Sequence, residues 1–303
     1  MHRLVIAVLA AGLAPFASAG TVHSLDQVPK QLKTPEAKQF FSQQMQGKPP
    51  PDLLGVHLPA ALPADAVIRL LVPPTDTAKP HLVGAKPWPV RAGLHVAIVC
   101  IGGTEPYSAG EPRCARSPND DKEPPLHVYL GVIALDHGGH TSLEAASGPL
   151  DCAMDWSRSK LPRQPMAADD AKDGLIRPES FERFDLARYK IAPDSMAFGL
   201  RGAWMESYSG GGANFTGLCL FSVAGHRLQQ VLAVPMSAYA DIAGDWHKNG
   251  TRDHDITDAS NVLVVSNHVT DGHFDLLLKR RGGGGKTRTY RWAASAGRYR
   301  PVD

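Results

Sequence analysis

The sequence predicts a mainly β fold: an antiparallel meander of the sandwich, barrel or propeller-like kind, preceded by a short N-terminal helical arm. Three observations predict it. Short β-branched and aliphatic runs succeed one another at roughly 10- to 15-residue intervals. Turn signals such as "SGGGAN", "AGH", "NG", "DG" and "GGGG" separate them. The 303 residues include 29 glycines and 25 prolines, which implies many turns rather than long helices.

The elements follow in order. Met1-His2-Arg3 is a small basic start, Leu4 to Leu13 is an apolar run, and Ala17-Ser18-Ala19 before Gly20 is a small-x-small pattern. That tripartite layout predicts a signal peptide over 1–19 cleaved near Ala19, hence a periplasmic or secreted protein. The apolar run falls short of the roughly 20 residues that a membrane span needs. Residues 20–64 read as a helical arm and a Pro-rich linker. Thr34 is placed to cap a helix, Pro35 suits its first position, and "EAKQFFSQQMQ" carries it to a stop before Gly47. "KPPPDLLGVHLPAALPADA" then excludes helix repeatedly with proline.

A first β-rich half spans 65–156, with strands expected at "AVIRLLV" (66–72), "LHVAIVCI" (94–101) and "LHVYLGVIAL" (126–135). Residues 157–180 form a polar connector in which "MAADDAKDG" suits a short surface helix. A second β-rich half covers 181–303, where "FERFDLARYKI", "MAFGLRGAW", "TGLCLFSV", "RLQQVLAV", "NVLVVSNHV", "HFDLLLKR" and "TRTYRWA" alternate with turns.

The four cysteines are Cys100, Cys114, Cys152 and Cys219. An even number in an exported chain favours disulfides over thiol or metal chemistry. Cys100 and Cys114 bracket a Gly- and Pro-rich loop, so pairing them leaves Cys152 with Cys219. No two cysteines have the close spacing of a zinc or redox motif.

Charge excludes some functions. Without residues 1–19 the chain carries 31 Lys and Arg against 30 Asp and Glu, too balanced to draw in nucleic acid or an anionic membrane. "RRGGGGKT" (280–287) lacks the leading glycine of a phosphate loop and runs into an alternating strand rather than a helix. His137-Gly-Gly-His140 offers two imidazoles where zinc usually takes three or four protein ligands. No G-x-S-x-G elbow and no H-E-x-x-H helix occurs.

The richest polar run is "GDWHKNGTRDHD" (244–255). Counting from Asp245, ligand-type residues fall at positions one, five and nine (Asp245, Asn249, Asp253), with Gly250 at six and the Thr251 carbonyl at seven. Calcium takes six to eight oxygens from turns of this spacing. The run resembles a degenerate calcium loop of the integrin-type FG-GAP repeats, which implies a metal set of Asp245, Asn249, Thr251 and Asp253. It departs from that pattern with His247 at position three and Ile256 at position twelve. The competing reading is a two-residue type I′ hairpin turn at Asn249-Gly250, with Trp246 packed inward.

Together these features predict an exported, non-catalytic binding or envelope-associated protein, its partner another exported protein or a small ligand. Calcium is the one cofactor these features suggest. The alternative is a secreted hydrolase whose acids and histidines converge only in three dimensions. A deep pocket collecting Asp245, Asp253, His247 or His254 would favour the hydrolase. Exposed aromatics such as Trp204, Tyr208 and Tyr239 would favour binding.

Overall fold

The structure, a computed structural model, describes residues 20–47, 51–102, 114–115, 126–136 and 138–302. The expected signal peptide, the head of the Pro-rich linker, most of the loop between Cys100 and Cys114, and His137 lie outside those residues.

The arm comprises a short strand β1 (Gly20–Val22), a one-turn helix α1 (Val28–Gln31) and the longer α2 (Pro35–Gln46). Local sequence sets both ends of α2. Thr34 is extended and its hydroxyl accepts the Ala37 N–H, while Gly47 closes the helix at φ 59°. Leu25, Val28, Leu32, Ala37 and Phe40 bury their apolar sides against Tyr239 and Ile256 of the sheet.

The stretch 66–72, expected to be a strand, is instead part of helix α3 (Ala64–Leu71). Strand alternation would have aligned Arg69 with Val67 and Leu71. The helix turns Val67 and Leu71, four residues apart, onto one buried face and leaves Arg69 out. That face covers Ala97, Val99, Tyr129 and Ile133, so tertiary burial overrides the β-branched propensity of Val67 and Ile68.

The surface it covers is a first meander: β2 (Pro80–Pro87), β3 (Leu94–Ile101), then, after the two-residue β4 (Cys114–Ala115), β5 (His127–Leu135) and β6 (Thr141–Ala146). The first half ends in β7 (Met154–Asp155), and the connector contributes α4 (Met166–Asp170) and β8 (Leu175–Ile176). The second meander is β9 (Ser180–Ala192), β10 (Ser195–Tyr208), β11 (Gly211–Ala224), β12 (Arg227–Trp246), β13 (Arg252–Thr270), β14 (His273–Arg280), β15 (Arg288–Ala293) and β16 (Arg298–Val302).

These eight strands pair in sequence order and antiparallel throughout; β4 adds to the β9 edge and β1 to β13. A short parallel bridge, Arg227 to Ala146, joins the first meander to β12. The fold is therefore the expected antiparallel β architecture, built as one 14-stranded sheet with no closed barrel among the described residues.

β10 and β11 are buried on both faces. On one face, Phe198, Leu200, Phe215 and Phe221 pack against Ile98 and Leu130 of the first meander. Trp156, just after β7, meets Trp204 there, edge to face at 5.3 Å. On the other face, Leu218 and Leu220 meet Leu276, Leu278 and Tyr299. The second contact exists because the sheet folds over itself. β12 and β13 run for 20 and 19 residues, and register shifts along them bend the strands. The Tyr299 hydroxyl then donates to the Phe274 carbonyl at 2.8 Å.

Both expected disulfides are present. Cys100–Cys114 ties β3 to β4, and Cys152–Cys219 ties the segment before β7 to β11, with Cα separations of 5.6 and 6.0 Å. Among the described residues no helix is long and apolar enough to cross a membrane.

Candidate functional site

Register explains how a site forms under the arm. Ser207, Gly212, Asp241 and Ile256 stand in one row across β10 to β13, and Met205, Asn214, Tyr239 and Asp258 stand in the next. Opposed residues in an antiparallel sheet project to the same face, as do residues two apart along a strand. One face therefore presents Met205, Ser207, Tyr239, Asp241, His254 and Ile256.

α1 and the first half of α2 cover Tyr239 and Ile256. Beyond them a cleft of about 600 Å³ remains between the second half of α2 and the strands, within the usual range of small-molecule sites. Phe40, Phe41, Gln44 and Met45 form its helical wall. Met205, Glu206, Ser207 and the Gly210–Gly212 turn form the opposite side. Gly211 lets the start of β11 lie close against β12, because a Cβ there would run into the Asp241 carbonyl. Three large apolar side chains at the cleft remain largely in solvent: Met45 is 49 % exposed, Met205 51 % and Trp246 70 %.

The polar groups are specific. The buried His254 and Asp241 are joined Nδ1 to Oδ1 at 2.7 Å. Burial raises the Asp241 carboxyl above its ordinary range, against the opposing effect of the His254 hydrogen bond. Glu206 accepts the Met166 N–H at 2.6 Å and the Tyr208 hydroxyl, and burial with that contact pushes Tyr208 up to about 12. Burial also raises Tyr239, reinforced by the Asp241 and Asp258 charges. Arg252 donates from Nε to the Gly244 carbonyl at 2.8 Å, and its guanidinium lies 5.3 Å from the Trp246 ring centroid.

The hairpin "GDWHKNGTRDHD" supplies the rim. Its turn has three loop residues, not two. The His247 N–H reaches the Thr251 carbonyl at 2.8 Å and the Gly250 N–H reaches the His247 carbonyl at 3.0 Å. Gly250 takes φ 81°, whereas Asn249 has no positive φ, so the expected type I′ turn gives way to the three-residue form in which glycine makes a bulge. Trp246 faces outward rather than inward. An extra β12 residue between Ala243 and Trp246 shifts the register there and re-aims the side chain.

The residues of the calcium-type set fall into separate groups. Asn249 Oδ1 accepts the Thr251 N–H at 3.0 Å and hydroxyl at 2.7 Å. Asp253 Oδ1 lies 2.6 Å from His247 Nε2 and 2.9 Å from Nδ1 of His23 in the arm. Hydrogen bonds from His23 and then His247 hold the Asp253 carboxyl below its ordinary range. Asp245 is exposed and stands outside that group.

Of the acids and histidines that would mark a hydrolase pocket, His254 lines the cleft. Its partner Asp241 escapes a reading of the sequence, although a lone acid inside the small apolar run "MSAYADIAG" is the signal that could have found it. Trp204 and Tyr239 are buried and Tyr208 is half-buried; among the described residues the exposed Phe, Tyr or Trp is Trp246. Comparison with known proteins returns no matching family model, no matching curated protein and no matching solved structure.

Proposed function

We propose that the protein is exported, by a signal peptide over 1–19 to the periplasm or beyond, and binds a small amphipathic molecule in the cleft beneath α2. The observation that carries this reading is the gathering of Met45, Met205 and Trp246 at one cleft while three of the other four tryptophans are buried at 1 % exposure or less. Exposed apolar side chains scattered singly are ordinary, but several converging on one concavity mark a binding site. Two disulfides are compatible with export.

The polar lining suggests the ligand's other end. Glu206 already accepts from Tyr208 and Met166, and Asp241 from His254. Arg252 is the one Lys or Arg side chain among the lining residues. An apolar body with an anionic head fits this arrangement.

The test uses anilinonaphthalene sulfonate as an apolar anionic probe. Saturable binding of one equivalent is expected, weakened in Trp246→Ala and in Met205→Ser and displaced by dodecanoate more readily than by dodecyltrimethylammonium. An absence of saturable binding to the folded protein would sink the reading.

The Asp241–His254 pair favours a second reading, hydrolysis. A carboxylate orienting an imidazole beside a cleft is the arrangement a general base needs, and Ser24 and Ser207 line the same cleft. Turnover of a p-nitrophenyl ester by the wild type, abolished by His254→Gln, would transfer weight to it.

A further inference from the structure

We propose that His23, His247 and Asp253 form a binding site for a borderline first-row cation, zinc(II) foremost, that fastens the N-terminal arm to the rim of the cleft. The ligand atoms of these three side chains all lie within 4.8 Å of one another. They are the one such group of three His, Cys, Asp or Glu among the described residues.

The arrangement is not a product of sequence proximity. β1 pairs with β13 so that Val22 stands opposite His254, which brings His23 beside Asp253. The three-residue hairpin loop returns His247 to the same carboxylate from the other side. The two rings meet edge to face with centroids 5.6 Å apart and both point a nitrogen at Asp253 Oδ1. An ion drawing these atoms to about 2.0–2.2 Å would replace two hydrogen bonds with three coordinate bonds.

Ligand chemistry selects the ion. Two imidazole nitrogens and one carboxylate suit zinc, copper or nickel, whereas calcium requires oxygen donors. Three protein ligands leave at least one position for water or a ligand atom. Side-chain exposures of 73 % for His23, 37 % for His247 and 25 % for Asp253 leave the group open to solution.

The site borders the cleft on both sides. Ser24 and Leu25 follow His23, Trp246 precedes His247, and Thr251 and Arg252 precede Asp253; all five line the cleft. Bound metal therefore ties one wall to the other, and the ion and the cleft's occupant influence each other through that tie.

Two of the other His–Asp contacts provide internal controls. His268–Asp275 and His57–Asp52 each offer one imidazole to one carboxylate, with no second imidazole gathered beside them.

The experiment is calorimetric titration of the chelator-treated full chain with zinc(II), accompanied by thermal melts in zinc and in calcium. The wild type and His268→Gln are expected to bind one equivalent and to melt at higher temperature with zinc. His23→Gln and Asp253→Asn are expected to lose affinity by about 100-fold or more, beyond the 10- to 100-fold that loss of an outer-shell partner typically costs. His23 is largely exposed, so His23→Gln keeps the test meaningful if Asp253→Asn folds poorly. Cobalt(II) substitution is expected to give a visible d–d spectrum that His23→Gln removes. Zinc binding unchanged in His23→Gln, binding lost in His268→Gln, or a response to calcium without one to zinc would each overturn the proposal.

Discussion

Asp258, on β13, accepts the Thr34 hydroxyl at 2.7 Å and, through its second oxygen, the backbone N–H groups of Lys33 and Thr34 at 2.6 and 2.8 Å. The Thr34 oxygen passes that contact on by accepting the Ala37 N–H. One carboxylate thus anchors the start of α2 to a strand 224 residues away and sets where the helix lies over the cleft.

Removing either partner is therefore expected to loosen the arm. Asp258→Ala should cost about 2 kcal/mol, the scale of hydrogen bonds to a charged group. Thr34→Ala should cost about 1–2 kcal/mol through loss of the cap. The double variant is expected to cost less than the sum, because both single changes break the same bond. Urea unfolding of the four proteins measures this, and strictly additive losses would show that cap and anchor act separately.

What was legible in the sequence was mostly local. Thr34, Pro35 and Gly47 specify α2 within its own residues, and the disulfide pairing followed from the loop that Cys100 and Cys114 enclose. The strands of the second meander announced themselves by alternation and turns, but not their lengths. β12 continues from "RLQQVLAV" through Pro235 to Trp246, and its extra residue between Ala243 and Trp246 leaves no mark in the periodicity. α3 is not legible locally, because Val67 and Ile68 favour strand while the surface it covers favours helix. The Asp241–His254 pair, 13 residues apart, depends on the register of the β12–β13 hairpin, and the His23–Asp253 contact joins residues 230 apart through the arm, so neither shows in the local periodicity.

Asp76 provides a pH-dependent contribution. Its Oδ2 lies 2.8 Å from both His127 Nδ1 and the Tyr129 hydroxyl, fastening the loop after α3 to β5. Hydrogen bonds from His127 and then Tyr129 hold its carboxyl below the ordinary range. A depressed carboxyl contributes stability above its unfolded value of about 3.9, and that contribution disappears as pH falls through the lower folded value. Asp76→Asn should show its full deficit near neutral pH and converge on the wild type in acid. Urea midpoints across that range would test this, and a deficit independent of pH would contradict it. Tyr129, raised by burial and by Asp76 to about 12, should titrate correspondingly late in ultraviolet absorbance.

The two disulfides should differ in weight. Cys152–Cys219 spans 67 residues and Cys100–Cys114 spans 14. Loop-closure entropy alone assigns about 4 kcal/mol to the first and about 3 kcal/mol to the second. Both bridges are fully buried in one core cluster, so paired alanines cause a packing loss in either case and the loop term sets the order. The Cys152→Ala/Cys219→Ala protein is therefore expected to unfold at lower urea than Cys100→Ala/Cys114→Ala. The reverse order would place the greater constraint at the edge strand β4.

Asp241 bears most directly on what the cleft holds. Burial lifts its carboxyl above the ordinary range, and the His254 contact offsets this only in part. For a carboxyl raised by folding, the associated stability is complete below the unfolded value of about 3.9 and is lost as pH rises through the folded value. The ionised form is thus a cost of the folded state. Asp241→Asn keeps an oxygen for His254 to donate to and removes the charge. The variant should match or exceed the wild type in stability at mildly alkaline pH, while the wild type gains on it as pH falls. It should also bind the anionic probe more tightly, since one negative charge fewer then faces the probe's head. Melting curves and probe titrations over one pH series measure both effects. A variant uniformly less stable at every pH, with weaker probe binding, would instead identify the charged carboxylate as a positive determinant of the site and favour the hydrolytic reading of the Asp241–His254 pair.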